Sequence, residues 1–348
     1  MIFIYFQVAP TMLDIFFDCR WYSYRWIDCR KLFSKVLTQE GICYTSNTLA
    51  ATEILENTLE YPYLESNIAS KGWSMSTGYD YSASEYYPRR GRILGSYPDM
   101  ELMFIHNPAH QHPSCNKYFG YKIYLQHPAN IPQASLYYYA AIPNKKTSLA
   151  ISFHEFNTDP SLSTYSPDKR QCYFPRERKL RYFKIYTMNN CQAECLTNYT
   201  LAICKCAGFY MPHNISTQLC RVELYTCMNR AKEIDDEIRI KNGVKEACRC
   251  LPACDSVEYD AEVLRRDYID IQVRVLAKNE NSLFSKVELF FKKPQFMTMQ
   301  RRELFGVTDL LANIGGLLGV FLGFSFLSLI EIIYFMTLRL VNIIIHDF

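Results

Sequence analysis

The sequence predicts an α+β fold, in which a disulfide-rich β-sheet ectodomain is followed by one C-terminal transmembrane helix. The first of three observations is an uncharged run of 21 residues, 310–330. As a helix it would be ~31 Å long, about the thickness of a bilayer's hydrocarbon core. The second is a set of 14 cysteines, all between Cys19 and Cys254. The third is an aromatic content of 15%, including 27 tyrosines, which favours a sheet-rich, packed fold.

Glycines recur along the apolar run. Gly315, Gly319 and Gly323 are spaced every four residues, so in a helix they lie on one face. Such a face allows another helix to approach closely, as a multi-helix interior requires. The same spacing also occurs in single-pass anchors whose glycines serve only dimerisation, and composition does not separate these two interpretations.

The cysteines are densest between Cys172 and Cys254, and two explanations compete for them. Zinc modules favour two to four residues between paired ligands, whereas Cys204/Cys206 and Cys248/Cys250 are separated by one. The same block holds two glycosylation sequons, at Asn198 and Asn214. We therefore expect disulfides in an oxidising compartment rather than a metal site.

Other function classes find no support in the sequence. A net charge of +3 implies no nucleic-acid partner. The chain has no zinc-protease motif, phosphate-binding loop or nucleophile elbow. We expect neither an enzyme nor a bound cofactor.

The charges that flank the apolar run conflict with the cysteines about orientation. Lys292, Lys293, Arg301 and Arg302 precede the run, and Arg339 alone follows it closely. The positive-inside rule would place the preceding side in the cytosol. Disulfides and sequons place it outside, and long domains translocate largely regardless of charge. We expect the cysteine-rich part to be extracellular.

The beginning of the chain resembles neither a signal peptide nor a membrane span. Residues 1–19 are apolar but lack a basic region, and Pro10 and Asp14 interrupt them. We expect one or two buried strands of a domain that begins upstream. Elsewhere, patterning predicts a tight turn at 41–43 and strands at 121–125, 148–153 and 287–291. It also predicts a helix over 228–244, with Gly243 as its stop signal.

Three segments together carry a family resemblance. They are Gly41-Ile42-Cys43-Tyr44-Thr45-Ser46-Asn47, the order of the cysteines from 172 to 254, and the glycine-rich stretch that ends with 323–331. In this order and spacing, the chain resembles the degenerin/epithelial sodium channel superfamily, most closely the pickpocket-type channels of insects. The resemblance covers nearly all of residues 19–338.

The resemblance implies a subunit of an amiloride-sensitive-type sodium or cation channel in the plasma membrane, gated by motion of the ectodomain. Residues 1–303 would be extracellular, with a helical thumb at 172–254. Residues 304–338 would be a pore-lining transmembrane helix, and 339–348 a cytosolic tail. The implied partners are sodium ions, membrane lipid and related subunits in a homo- or heterotrimer.

The resemblance also assigns individual positions in the pore. Gly323, Phe324 and Ser325 occupy the selectivity filter, where backbone carbonyls replace the water of an ion. Gly319 occupies the blocker site, and Ala312 the degenerin position, where bulky side chains hold the pore open. Plain helix packing is the alternative for these small residues. Glu331 would lie at the cytosolic mouth of the pore or simply mark the helix end.

The resemblance pairs the cysteines, because sequence alone does not fix their connectivity. A nested ladder of this kind would make the thumb a rigid lever, or would only stabilise the fold. The implied pairs are Cys172–Cys254, Cys191–Cys250, Cys195–Cys248, Cys204–Cys227, Cys206–Cys220 and Cys19–Cys29.

The chain departs from the family pattern at its beginning. It lacks the first membrane helix, the His-Gly motif before that helix and the first strand of the ectodomain, and Ser46 replaces the usual Phe. The usual partner of Cys43 is also absent, which leaves Cys115 or nothing. We therefore expect an N-terminally truncated form. A non-conducting regulatory subunit and a single-pass cysteine-rich receptor are the alternative functions.

Overall fold

The computed structural model describes residues 9–22, 25–56, 64–75, 77–80, 82–91, 97–108, 119–133, 137–242, 248–269, 283–323, 325–339 and 341. The chain divides into two compact units. The first unit comprises Met1–Thr158 and Tyr165–Gln300, and the second comprises Asp159–Thr164 and Arg301–Phe348.

Strands and a smaller number of helices form the described part of the first unit, and the last strand ends one residue beyond it. The strands are β1 (Phe16–Trp21), β2 (Arg25–Trp26), β3 (Ser34–Thr38), β4 (Gly41–Thr45), β5 (Trp73–Ser74), β6 (Gly78–Tyr79), β7 (Met100–His106), β8 (Tyr121–Ile123), β9 (Tyr139–Ala141), β10 (Lys145–Thr158), β11 (Ser256–Asp267), β12 (Leu283–Phe291) and β13 (Met297–Arg301). The helices are α1 (Met12–Ile15), α2 (Cys29–Leu32), α3 (Ala51–Ile54), α4 (Pro167–Arg170), α5 (Met188–Cys204) and α6 (Tyr225–Asn242). The second unit contains α7 (Val307–Leu322) and α8 (Phe326–Tyr334).

A seven-stranded sheet is the centre of the first unit. Its order is β11-β10-β12-β7-β1-β2, and β13 pairs with β10. β12 is parallel to β10, whereas β7 and β11 are antiparallel to their neighbours. A parallel pair needs a long crossover, and here α5, α6 and β11 lie in sequence between β10 and β12.

Alternation along the strands gives this sheet two different faces. One face buries Cys19, Leu102, Leu149 and Val287 in a core with Phe104. The residues that alternate with these along each strand are mostly polar, and they form the ion pairs on the opposite face. The main core of the sheet therefore lies on one side, while a smaller apolar cluster around Met103 and Phe284 lies on the opposite face.

A second core forms around the β3–β4 hairpin. Val36, Leu37 and Ile54 are buried there against Tyr182 and Phe183. The hairpin shows that the predicted turn at 41–43 is wrong by two residues. The turn occupies 39–40, and Gly41, with φ of +102°, opens strand β4 because glycine has no Cβ to resist this conformation.

The strands and the helix that the sequence predicted are present in the structure, but their ends differ from the predicted ones. Pairing stops β8 at Ile123 rather than residue 125, while β10 and β12 extend the predicted strands toward the N-terminus. Helix α6 begins at Tyr225, directly after a 3-10 turn at Val222–Leu224. Gly243, its predicted stop, lies outside the described residues. Residues 12–21 form α1 and β1, and 1–8 are not described.

Candidate functional site

Helix α7 has defined signals at both ends. At its start, the backbone N–H of Gly306 donates to Asp309 Oδ2 over 3.1 Å, which places a carboxylate at the positive end of the helix dipole. At its end, Gly323 is left-handed, with φ of +62°, and its N–H donates to the carbonyl of Leu318. Glycine at this position stops a helix without steric cost.

Helix α8 begins at Phe326, directly after the break that follows α7. Ser325 is its N-cap, and the Ser325 hydroxyl accepts from the backbone N–H of Ser328 at 3.3 Å. The N–H of Ser325 donates in return to Ser328 Oγ at 3.4 Å. After Tyr334 a π-helical turn continues to Arg339. Phe324, between the two caps, lies outside the described residues.

The predicted single span is therefore two helices. α7 and the segment Phe326–Arg339 meet at an angle of 82° across the Gly323–Ser325 break. Within the described ranges, neither helix alone is long and apolar enough to cross a membrane, but the bent pair together satisfies that test of length and composition. The glycine stop and the serine cap explain why hydropathy, which ignores caps, predicted one helix.

Small side chains share one face of α7. At 100° per residue, Ala312, Gly315 and Gly319 fall within an arc of about 60°. All three are exposed, and an added Cβ at Gly315 would meet no heavy atom within 4 Å. The opposite face presents exposed large side chains, which include Ile314, Leu317 and Phe321.

Glu331 lies on α8, six residues after Ser325, and is exposed. It is the one acidic residue between Asp309 and Arg339. Among the described residues of the second unit, the predicted pore positions thus occur in a fixed order along the chain: Ala312 and Gly319 on α7, Gly323 and Ser325 at the break, and Glu331 on α8.

Among the described residues there are six disulfides, and they join the pairs that the resemblance implied. Five lie between residues 172 and 254, with Cα–Cα distances of 4.9 to 6.0 Å, which is the usual range for disulfides. They are nested in sequence, from Cys172–Cys254 outside to Cys206–Cys220 inside. The sixth, Cys19–Cys29, joins β1 to the start of α2.

Asn190 holds the start of α5 against the rest of the first unit. Its side chain is 0% exposed. Asn190 Nδ2 donates to the carbonyls of Ala129 at 3.0 Å and Ile185 at 3.2 Å, and Asn190 Oδ1 accepts from Ile131 N–H at 2.9 Å. Sequence reasoning did not single out this residue, because Ala129 and Ile131 are about 60 residues away in sequence and give no local signal.

The two sequons differ in exposure. Asn198 is exposed on α5, and Asn214 is half-buried in the loop between α5 and α6. Cys43 is the one cysteine without a bridge in the part of the chain that the structure describes. Its sulfur lies 3.3 Å from Thr38 Oγ1, and burial raises the pKa of the thiol. Cys115, its expected alternative partner, lies outside the described residues.

The polar face of the sheet carries a chain of charges that sequence reasoning missed. Glu288 accepts from Lys146 at 2.5 Å and lies 3.4 Å from Lys286 Nζ, which is 2.8 Å from Glu101. Burial opposes ionisation of Glu288, but the two lysines hold its pKa below the usual value. Alternating charges on β7, β10 and β12 were a possible signal, but only strand order reveals that they meet. Among described residues, no three histidine, cysteine or acidic side chains are placed to ligate a metal ion.

Comparison with known proteins identifies the family. The family model described as amiloride-sensitive sodium channel matches residues 3–335. The chain belongs to this family. It is similar to Pickpocket protein 28 of Drosophila melanogaster, with 26% identity over 330 residues, which cover 90% of this chain and 54% of the relative.

Other relatives of the amiloride-sensitive sodium channel family match shorter stretches. Sodium channel protein Nach of Drosophila melanogaster is 25% identical over 230 residues, covering 64% of this chain and 41% of the relative. Acid-sensing ion channel 2 of Danio rerio is 25% identical over 199 residues, covering 51% and 36%. The chain spans about half the length of the curated relatives it matches.

Proposed function

We propose that this chain is a subunit of a trimeric sodium or cation channel of the plasma membrane, opened by motion of its extracellular first unit. The observation that carries the proposal is the break at Gly323–Ser325, which joins two apolar helices directly after a face of small side chains. Membership of the amiloride-sensitive sodium channel family supports it.

The break has the chemistry of an ion filter. Non-helical backbone at membrane depth is tolerated only where protein buries it or where it lines water. At this break the carbonyl of Gly323 would replace part of the water around a sodium ion, while the Ser325 carbonyl accepts from the N–H of Leu329 at 3.2 Å and belongs to helix α8. Gly323 and Ser325 are small enough to let three chains approach, and Phe324 completes the proposed filter.

The two faces of α7 suit opposite surroundings. Ile314, Leu317 and Phe321 would face lipid, while Ala312 and Gly319 would face the other subunits. Close packing of helices in membranes depends on small residues of this kind. Ala312 is accordingly proposed as the gate position, Gly319 as the blocker site and Glu331 as the cytosolic mouth.

The disulfide block would make the thumb, residues 172–254, move as a rigid body. Five bridges between residues 172 and 254 restrict the motion of α5 and α6. A stimulus would then move this thumb as one body. The bridges and the two sequons support an extracellular location for the first unit.

The test is substitution at the proposed gate, Ala312→Phe, with current recorded in cells that express the chain alone and together with Pickpocket protein 28. A phenyl ring on the small face prevents tight closure, since overpacking of a close contact costs ~1–3 kcal/mol. This corresponds to a ~5–150-fold shift toward the open state, seen as sustained inward sodium current.

Ile314→Phe is the matched control, because it adds a ring to the same helix on its opposite face. Its current should equal that of the parent at equal surface expression. Equal currents from both variants, or no effect of either, would contradict the gate assignment. Suppressed partner current with intact surface labelling would instead indicate a non-conducting regulatory subunit.

A further inference from the structure

Pairing along β10 is interrupted just before the chain leaves the sheet. β12 pairs in parallel with β10 until Phe291, which is opposite Ile151. The backbone of Lys292 then donates to the Ile151 carbonyl at 2.9 Å. Residues 293–296 leave the ladder, and β13 resumes pairing with β10 from Met297. The chain thus carries an insertion between two strands that share one neighbour.

The last residue of this insertion packs in a cluster of three phenylalanine rings. Phe296 stacks on Phe153 of β10, with ring centroids 3.8 Å apart and planes at 21°. Phe291 meets both rings edge to face, at 5.5 Å from Phe296 and 6.2 Å from Phe153. We call Phe153, Phe291 and Phe296 the aromatic clamp.

Two members of the clamp, Phe153 and Phe291, pack against neighbouring residues of the first unit, whereas the third, Phe296, is exposed to solvent. An added Cβ at Gly91 would lie 2.7 Å from Phe291 Cε2, so the backbone of Gly91 packs directly on that ring. Tyr259, on the neighbouring strand β11, contacts Phe153 with the ring centroids 6.3 Å apart. Phe296 is 40% exposed, so it is the member that lies at the surface and is able to detach.

Few other side-chain contacts hold β13. Thr298 Oγ1 donates to Glu155 Oε2 at 3.2 Å, while Met297 and Met299 are 65% and 42% exposed. Five residues of edge strand with little burial are weakly held on their own. The stack of Phe296 on Phe153 is therefore the main apolar contact at the start of this strand.

We propose that Phe296 is a positioning residue of the channel, which latches β13 onto β10 and so fixes the sheet end of the connection to α7. Release of the ring would free β13 and allow the connection to lengthen without breaking the sheet. The effect on current rests on the proposed function, whereas the latch itself does not.

The test compares Phe296→Ala with Phe296→Tyr, in the full chain purified in detergent and in cells. Amide hydrogen exchange at 297–301 reports the latch without any current. Phe296→Ala should accelerate this exchange about tenfold, as stacking free energies predict, while Phe296→Tyr should match the parent because its hydroxyl reaches water. Met297→Ala, which trims an exposed neighbour, is the control and should exchange as the parent does.

Recording then separates the latch from the channel hypothesis. In the Ala312→Phe background, Phe296→Ala should change the current per surface-labelled subunit at least about threefold, with the reversal potential unchanged and with recovery in Phe296→Tyr. Unaltered exchange in Phe296→Ala would overturn the latch. Accelerated exchange with unaltered current would overturn the positioning role. Accelerated exchange in a chain that never conducts would support the latch and contradict the proposed function.

Discussion

At the scale of single residues, the environment of a side chain decides its chemistry more than its type does. His106 is 2% exposed on β7, and its Nε2 lies 2.7 Å from Ser285 Oγ. The rings of Tyr121 and Phe119 flank it at 4.8 and 5.8 Å. Burial in this setting lowers the pKa of His106 to about 4, so the imidazole is neutral at physiological pH.

His106 makes the first unit sensitive to acid. Its pKa is below the ordinary value of about 6.5, so the unfolded chain binds the proton more readily. Stability should fall as the pH drops below ~6.5 and level off below ~4. The loss attributable to His106 is roughly 2 kcal/mol at pH 5.

Urea denaturation of the purified chain at pH 7 and pH 5 measures this loss, with fluorescence of Trp21, Trp26 and Trp73 as the signal. His106→Asn should lose less stability between the two pH values than the parent. His127, whose pKa burial also lowers to about 4, contributes to the dependence that remains. An unchanged difference in His106→Asn would show that His106 does not titrate as described.

The cysteines show how far single residues were predictable. Their pairing came from the resemblance in order and spacing, since spacing alone admits many connectivities. The turn before Cys43 was misplaced, because the Gly41-Ile42 sequence suits a turn and a hairpin start equally. Residues such as Asn190 and Ser285 gave no signal, because the partners that explain their burial, Ala129 and Ile131 for Asn190 and His106 for Ser285, are remote in the chain.

At the scale of elements, helix ends are set by caps and tertiary contacts rather than by hydropathy. α5 begins where the Thr187 hydroxyl accepts from the N–H of Asn190 at 3.1 Å, and where Asn190 itself bonds to the 129–131 segment. The break between α7 and α8 has the same origin in local capping, which window-averaged hydropathy does not detect. Element type was therefore predictable here, and element ends were not.

Asn190 gives the element-scale prediction. Asn190→Asp keeps the shape but removes the Nδ2 donor from two buried carbonyls and buries a charge. The free energy of unfolding should fall by roughly 3 kcal/mol. Asn189→Asp, one residue away and exposed, is the matched control and should change stability by less than about 0.5 kcal/mol.

Thermal or urea unfolding of both variants with intact disulfides checks this prediction. Equal stability of Asn190→Asp and Asn189→Asp would contradict the role given to the buried amide. A loss in Asn190→Asp that disappears near pH 3 would trace the effect to the ionised carboxylate, since the protonated acid is neutral and regains one O–H donor, whereas a loss that persists would trace it to the second donor that the acid lacks.

At the scale of the whole molecule, the sheet joins parts that are far apart in sequence. β10 and β12 are parallel neighbours although the complete disulfide block separates them in the chain. The alternating patterns predicted strands within these segments but not their order. The ion pairs of Glu288 and the clamp at Phe296 both depend on that order, so neither was predictable without the structure.

Assembly is the whole-molecule prediction. The proposed trimer should be held together in the membrane by close packing at the small-residue face of α7. Cross-linking of the chain purified in mild detergent should produce bands up to the trimer and none beyond. A ladder that ends at the dimer would favour a single-pass receptor whose glycines serve dimerisation only.

The central claim is that residues 323–325 line the path of the ion. The most direct measurement is the reversal potential when external sodium is replaced by potassium, compared between the parent, Ser325→Ala and Leu317→Ala. We predict a shifted reversal potential for Ser325→Ala, since its hydroxyl lies in the break, and none for Leu317→Ala on the large-residue face. Unshifted values for both, or equal shifts in both, would contradict a pore at the break.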